Sequence, residues 1–190
     1  MFFWFFGIHG NGVVFTAIMI PLFTAYATNA SLAAAGQPLQ WSPLFLFDAL
    51  YIMGGTGNTL PLCVMGLKSK SKRISAVSKA ALVPGIMGIN EPVIFGSPIM
   101  YNPILFIPFL LTPLIVGLLM LIAYQTGLIS YPQVYIMTTL PVVFSTFMQT
   151  FDWRNCVFTI LMFPVSCYYI FAPWFMAASH RHGTSHCLNC

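Results

Sequence analysis

The chain has 190 residues, of which 58% are hydrophobic, 16% aromatic and only 5% charged, with a formal net charge of +4. Soluble domains average roughly 25% charged residues, so a mean hydropathy of +0.85 excludes a separate water-soluble domain and points to an integral membrane protein. The expected fold class is all-α, a polytopic membrane protein with transmembrane helices and re-entrant hairpins.

Residues 1–35 contain no Asp, Glu, Lys or Arg. "FFWFF" and "SLAAAG" look like pieces of a signal peptide, but a basic n-region is missing, so the segment reads as mature chain. It is interrupted by "GIHGNG", Gly7 to Gly12, where glycines allow close backbone approach and His9 and Asn11 offer hydrogen bonds. "NAS" at Asn29 matches a glycosylation acceptor, a pattern short enough to arise by chance. Leu44 to Leu67 is a long apolar run with Asp48 near one end, read as an interfacial residue, and a second polar interruption, "MGGTGNTLP", in its middle. Gly55, Thr56 and Asn58 of that interruption are candidate substrate-binding residues.

Five of the seven Lys and Arg residues lie between Lys68 and Lys79. A short basic loop beside a span stays cytoplasmic, so this stretch is read as fixing orientation rather than as a nucleic-acid surface. Between Ala80 and Phe151 the only charged side chain is Glu91, inside "GINEPVIFGSP". Pro84, Pro92 and Pro98, with Gly85, Gly88 and Gly96, argue against a straight lipid-facing helix there. A carboxylate at such depth costs roughly 2.5–3.5 kcal/mol on insertion scales, which favours a role for Glu91, with Asn90 beside it, as polar ligands for a hydroxylated substrate. A protonated, purely packed glutamate is the alternative.

Pro103 to Tyr124 supplies 22 residues without a charge, enough to cross a hydrocarbon core of roughly 30 Å. Val134 to Phe151 reads as a second hairpin, Asp152 and Arg154 as a polar turn, and Asn155 to Ser179 as another apolar run. Trp41 and Trp174 are placed as interface anchors. About four crossing helices and two hairpins result. Cys63, Cys156, Cys167, Cys187 and Cys190 form no disulfide framework. The tail "SHRHGTSHCLNC" gathers zinc-type ligands without a folded unit around them, so no metal site and no cofactor are expected. Residues 1–178 are assigned to a membrane-embedded, substrate-binding unit and residues 179–190 to a polar His/Cys-rich tail.

"GINEPVIFGSPIMYNPILFIPFLLTPLI" resembles the signature of the membrane (IIC) component of bacterial sugar phosphotransferase systems, in the lactose, cellobiose and diacetylchitobiose group. "WFFGIHGNGV", "DALYIMGGTGNTLPL" and "DWRN" stand in the order that family has them. The resemblance implies a multi-pass permease of the bacterial cell membrane, surrounded by lipid and dimeric in its full-length form. Such a permease binds a disaccharide while a cytoplasmic IIB protein delivers phosphate from its own phosphocysteine. It also implies that Glu91, His9 and Asn90 lie at the sugar site, with Glu91 as the group able to act as a base, and that none of this chain's cysteines carries phosphate. The chain is similar to the carboxyl-terminal half of the family alone, so a truncated, non-transporting fragment or assembly subunit is the rival expectation. A membrane metalloenzyme using His9 lacks any helical ligand pair.

Overall fold

The computed structural model describes residues 3, 6, 16–69, 71–97, 99, 101, 103–136, 140–167 and 172. Among them every regular element is helical, as the composition predicts. Helix α1 spans Thr16–Ala34. A 3-10 helix, Pro43–Leu50, follows, opened by Ser42, whose hydroxyl accepts the Leu44 N–H. A wound turn over residues 51–58 leads to α2, Leu60–Leu67. Then come α3, Lys72–Ile86, and the six-residue α4, Glu91–Gly96. The long α5, Pro103–Gln125, is followed by α6, Val142–Thr150, and α7, Trp153–Pro164.

Two helical segments among the described residues are long and apolar enough to cross a membrane, Ala17–Ala34 and Pro103–Gln125. At 1.5 Å per residue α5 is about 34 Å long, slightly more than a typical hydrocarbon core. One side of it, including Leu114 (68% exposed) and Leu118 (58%), faces outward. Bare in water such a stripe would be an aggregation surface; against lipid tails it is solvated.

The inner side of α5 is the spine of the fold because it enters both cores. Its first half packs Leu105, Phe106 and Phe109 with Leu62 and Cys63 of α2, Ala81 of α3, and Val93 and Ile94 of α4. Its second half packs Val116, Met120, Ala123 and Tyr124 with Leu22 and Tyr26 of α1, Phe45 and Ala49 of the 3-10 helix, and Phe158 and Met162 of α7.

Several segments differ from the sequence expectation. Leu44 to Leu67 is not one continuous helix: the glycine-rich turn divides it into the 3-10 helix, which packs on α5, and α2. Helix α2 instead pairs with α3, and α3 with α4, so the broken region is a folded cluster of short helices. The basic stretch is mostly helix, since α3 begins at Lys72. Within the stretch Val134 to Phe151, expected as a hairpin, the N–H groups of Gln133 and Val134 both donate to the Gln149 carbonyl, tying a non-helical arm to α6. His9, Trp174 and residues 179–190 lie outside the described residues.

Buried asparagines hold the irregular backbone. The Asn29 amide donates to the Gln40 carbonyl at 3.1 Å and the Pro132 carbonyl at 3.0 Å, and its oxygen accepts the Gln40 N–H at 2.9 Å. With its nitrogen committed and the residue 1% exposed, the "NAS" pattern cannot carry a glycan in this fold. Asn155 does the same for Ser130, donating to its carbonyl at 2.9 Å and accepting its N–H at 3.0 Å. Such groups are needed wherever backbone leaves the helix without water nearby.

Asp152 starts α7: one carboxylate oxygen accepts the Arg154 N–H at 3.0 Å and the other the Ser130 hydroxyl at 2.5 Å. Partial burial pushes its pKa up, but the Ser130 hydroxyl, the Arg154 N–H and the Arg154 guanidinium outweigh this and leave it below the usual carboxylate range. Its contribution is therefore present at neutral pH and lost as the pH falls through that lowered value. Asp152→Ala should lower stability by about 1–2 kcal/mol, the cost of an N-cap, while Asp152→Asn, which caps nearly as well, should lose less. Unfolding midpoints in detergent would test this; equal losses for both variants would contradict the capping role.

Candidate functional site

The turn between the 3-10 helix and α2 is buried from Ile52 to Thr59, although six of these eight residues are polar or glycine. Its backbone is satisfied from within. The Asn58 oxygen accepts the Met53 N–H at 3.0 Å, its amide donates to the Ala49 carbonyl at 2.8 Å, and the Thr59 hydroxyl donates to the Gly54 carbonyl at 2.9 Å. Asn58 is 0% exposed and serves the turn with both ends of its side chain.

One carbonyl of the turn is held from outside it. The Asn90 amide donates to the Thr56 carbonyl at 2.6 Å, across 34 residues of sequence. Contact is closest at Gly55, where a Cβ would stand 2.7 Å from the Gly88 carbonyl oxygen and 2.8 Å from Asn90 Cγ. Behind the turn, a Cβ on Gly57 would collide with the Phe109 ring of α5. The sequence candidates Gly55, Thr56 and Asn90 are therefore neighbours, with Asn58 directly behind them. Glu91, the first residue of α4, follows Asn90 and is half-buried at this junction.

A cavity of about 380 Å³ adjoins the junction through Gly88 and Ile89. Its walls come from the 3-10 helix and turn (Asp48, Tyr51), from α5 (Tyr124), from the hairpin arm (Tyr135) and from α6 (Thr146, Gln149). Tyr51 links the two regions, since it lines the cavity and opens the same turn that carries Thr56. Asp48, expected at the interface, instead lines the cavity and accepts the Tyr26 hydroxyl at 2.5 Å. Tyr26 is fixed in turn by edge-on contacts with Phe45 and Tyr135.

The cost that singles out Glu91 applies equally to Asp48, the one carboxylate of the Leu44 to Leu67 run. That was the available signal. Nothing local marks Tyr124, Tyr135 or Gln149, which reach the cavity only through the fold. Among the described residues no three His, Cys, Asp or Glu side chains come together as metal ligands. Cys63, Cys156 and Cys167 are free thiols.

Comparison with known proteins bears on the same segments. Residues 1–113 match the family model "Phosphotransferase system, EIIC". The chain is 34% identical over 177 residues to the oligo-beta-mannoside-specific EIIC component of Bacillus subtilis, covering 90% of this chain and 39% of that protein. It is 38% identical over 155 residues to the lichenan permease IIC component of the same organism, covering 79% of this chain and 34% of that one. A lactose-specific EIICB component of Streptococcus mutans shares 44% identity over 105 residues, 53% of this chain and 18% of that protein. The crystal structure of the transporter ChbC, the IIC component from the N,N'-diacetylchitobiose-specific phosphotransferase system, superimposes with a TM-score of 0.85 at 27% identity, over 96% of this chain and 44% of that one. The chain thus spans less than half the length of each of these relatives. The matching family model, these identities and the shared helical fold place it in a family of membrane proteins: the chain belongs to the EIIC family of the phosphotransferase system.

Proposed function

We propose that this protein supplies the sugar-binding part of a phosphotransferase permease, taking a disaccharide of the cellobiose, lactose or chitobiose type within a bacterial cell membrane that it crosses several times. The observation that carries the reading is the Asn90 to Thr56 bond, which sets the glycine turn beside Glu91. Backbone at close range, an amide-rich junction and a carboxylate are what a ligand with many hydroxyl groups requires. The relatives named above, each called after a saccharide, support the same substrate class.

In this reading Glu91 accepts a hydrogen bond from a sugar hydroxyl and takes its proton as the oxygen attacks phosphorus. The phosphate comes from the phosphocysteine of a cytoplasmic IIB partner, whose S–P bond breaks as the O–P bond forms, and the sugar leaves as its 6-phosphate. Little covalent work falls to the permease, so positioning dominates, and a base in place contributes roughly 10²–10⁴-fold. His9, Asn90, Gly55, Thr56 and Asn58 bind or shape the site, residues 1–178 form the embedded unit, and two copies associate in lipid.

Glu91→Gln should reduce phosphorylation of the disaccharide about 100-fold or more in membrane vesicles supplied with phosphorylated IIB, with the amount of inserted protein unchanged. Removing a charge eases insertion rather than hindering it. Wild-type phosphorylation and wild-type sugar affinity in the variant would overturn the role given to Glu91.

A further inference from the structure

We infer that the outward face of α3 binds an anionic phospholipid, its basic end holding the headgroup and its apolar end an acyl chain. Lys72, Ala76, Lys79, Val83 and Ile86 recur at steps of three and four residues, which sets them in one row along the helix, and each of them is exposed. Arg73 flanks the row, and Lys68 stands at the end of the neighbouring α2; both are exposed as well. The row is basic over its first half and apolar over its second. At 1.5 Å per residue Lys72 and Lys79 are about 10 Å apart along the axis, and Ile86 lies about 10 Å further on. Between the two lysines the row carries only the methyl group of Ala76.

The acidic side chains that could neutralise these cations are all placed elsewhere. The sequence has three: Asp48 accepts the Tyr26 hydroxyl, Asp152 starts α7, and Glu91 opens α4 beyond the C-terminal end of α3. The counter-charge therefore comes from outside the chain. Fixing orientation requires only that cations lie beside a span, and it does not account for their alignment with an apolar row. An acidic water-soluble protein or a nucleic acid would match the basic half but leave Val83 (66% exposed), Ile86 and Ile89 uncovered, and the row offers no aromatic side chain on which a base could stack. A lipid with a net negative headgroup matches both halves. Its phosphate meets the lysines and Arg73, and its chain runs along Val83 and Ile86. A zwitterionic headgroup, without net charge, lacks the first of these attractions.

The test is native mass spectrometry of the purified full chain released from nonionic-detergent micelles, titrated with dioleoyl phosphatidylglycerol or dioleoyl phosphatidylcholine. Detergent removes membrane orientation, which changes of charge would otherwise disturb. Wild-type protein should bind phosphatidylglycerol at least about 10-fold more tightly than phosphatidylcholine. Lys72→Gln and Lys79→Gln should each weaken phosphatidylglycerol about 5-fold, and the two combined with Arg73→Gln about 100-fold, with phosphatidylcholine unchanged. Lys72→Arg with Lys79→Arg should retain the preference, and Val83→Asn with Ile86→Asn should weaken both lipids. Arg154→Gln removes a cation from α7 and should alter neither. If the triple variant fails to fold, the two single variants decide.

A second readout is stability: phosphatidylglycerol at about 100 times its Kd should raise the unfolding midpoint of the wild-type protein and leave that of the triple variant in place. Equal affinity of the wild-type protein for the two lipids, or a phosphatidylglycerol preference that survives in the triple variant, would overturn the site on α3. Displacement of the lipid by glycerol phosphate at equal concentration would show that the acyl chain makes no contact, and would overturn the apolar half. Binding of polyglutamate that is lost in the triple variant, beside equal affinity for the two lipids, would give this face to an acidic protein instead. No sugar enters any of these measurements, so their failure leaves the permease reading intact.

Discussion

Asn58→Ala should cost the folded protein about 2–6 kcal/mol, because each of the two backbone groups it holds, the Met53 N–H and the Ala49 carbonyl, loses a buried partner at roughly 1–3 kcal/mol. Water cannot replace it at a residue that is 0% exposed. The backbone adds to the cost: Asn58 has φ 53°, a left-handed conformation that asparagine tolerates better than alanine. Asn58→Asp should also destabilise, since an acceptor would then face the Ala49 carbonyl in place of a donor. Denaturant unfolding in detergent reads the loss directly; a change in Asn58→Ala within about 0.5 kcal/mol, the range of neutral surface substitutions, would show that the turn holds itself by other means.

If the glycine turn and the Asn90–Glu91 segment form the sugar site proposed above, Gly55→Ala should abolish sugar binding. Its added Cβ would meet the Gly88 carbonyl oxygen at 2.7 Å and Asn90 Cγ at 2.8 Å, so the turn and the Asn90–Glu91 segment have to part and the 2.6 Å bond to the Thr56 carbonyl is lost. Overpacking of this kind costs about 1–3 kcal/mol, but its effect on a site built from both segments is larger than its effect on stability. Gly55 also has φ 80°, so strain alone could be blamed. Gly127→Ala separates the two causes: that glycine has φ 69° and nothing within 4 Å of the place an added methyl would take, so its replacement should cost only the backbone term, about 1–2 kcal/mol, with binding retained. Equal binding losses in the two variants would remove the argument from close approach.

The sequence revealed the places where helix stops and hid the directions in which helices face. Proline and glycine in "MGGTGNTLP" and "GINEPVIFGSP" break an apolar run by covalent geometry, so these segments could be read as site material without knowing what they touch. Leu44 to Leu67 shows the limit of length as a criterion, because a run long enough to span was cut by its own turn. Helix α5 shows another. It is apolar on every side, lipid and core being equally apolar neighbours, so nothing in its composition says that Tyr124 turns inward while Leu118 turns out. Asp48 was visible as a lone carboxylate, but its partner Tyr26 lies 22 residues earlier on another helix. Pairing across that distance is a property of packing.

Synthesis gives the Asn29 staple a different meaning. Its first partner, Gln40, emerges 11 residues later, but Pro132 follows only after 103. At about 5–20 residues per second, that second partner arrives some 5–20 s after α1 has left the ribosome. Throughout that interval α1, long and apolar enough to cross a membrane, carries a polar side chain only partly satisfied, and the Tyr26 to Asp48 bond, complete within 22 residues, is what can hold it against the 3-10 helix. The early bond keeps α1 in place and the late one locks it, so a nascent chain stalled before Pro132 should be a loosely held intermediate exposed to membrane quality control.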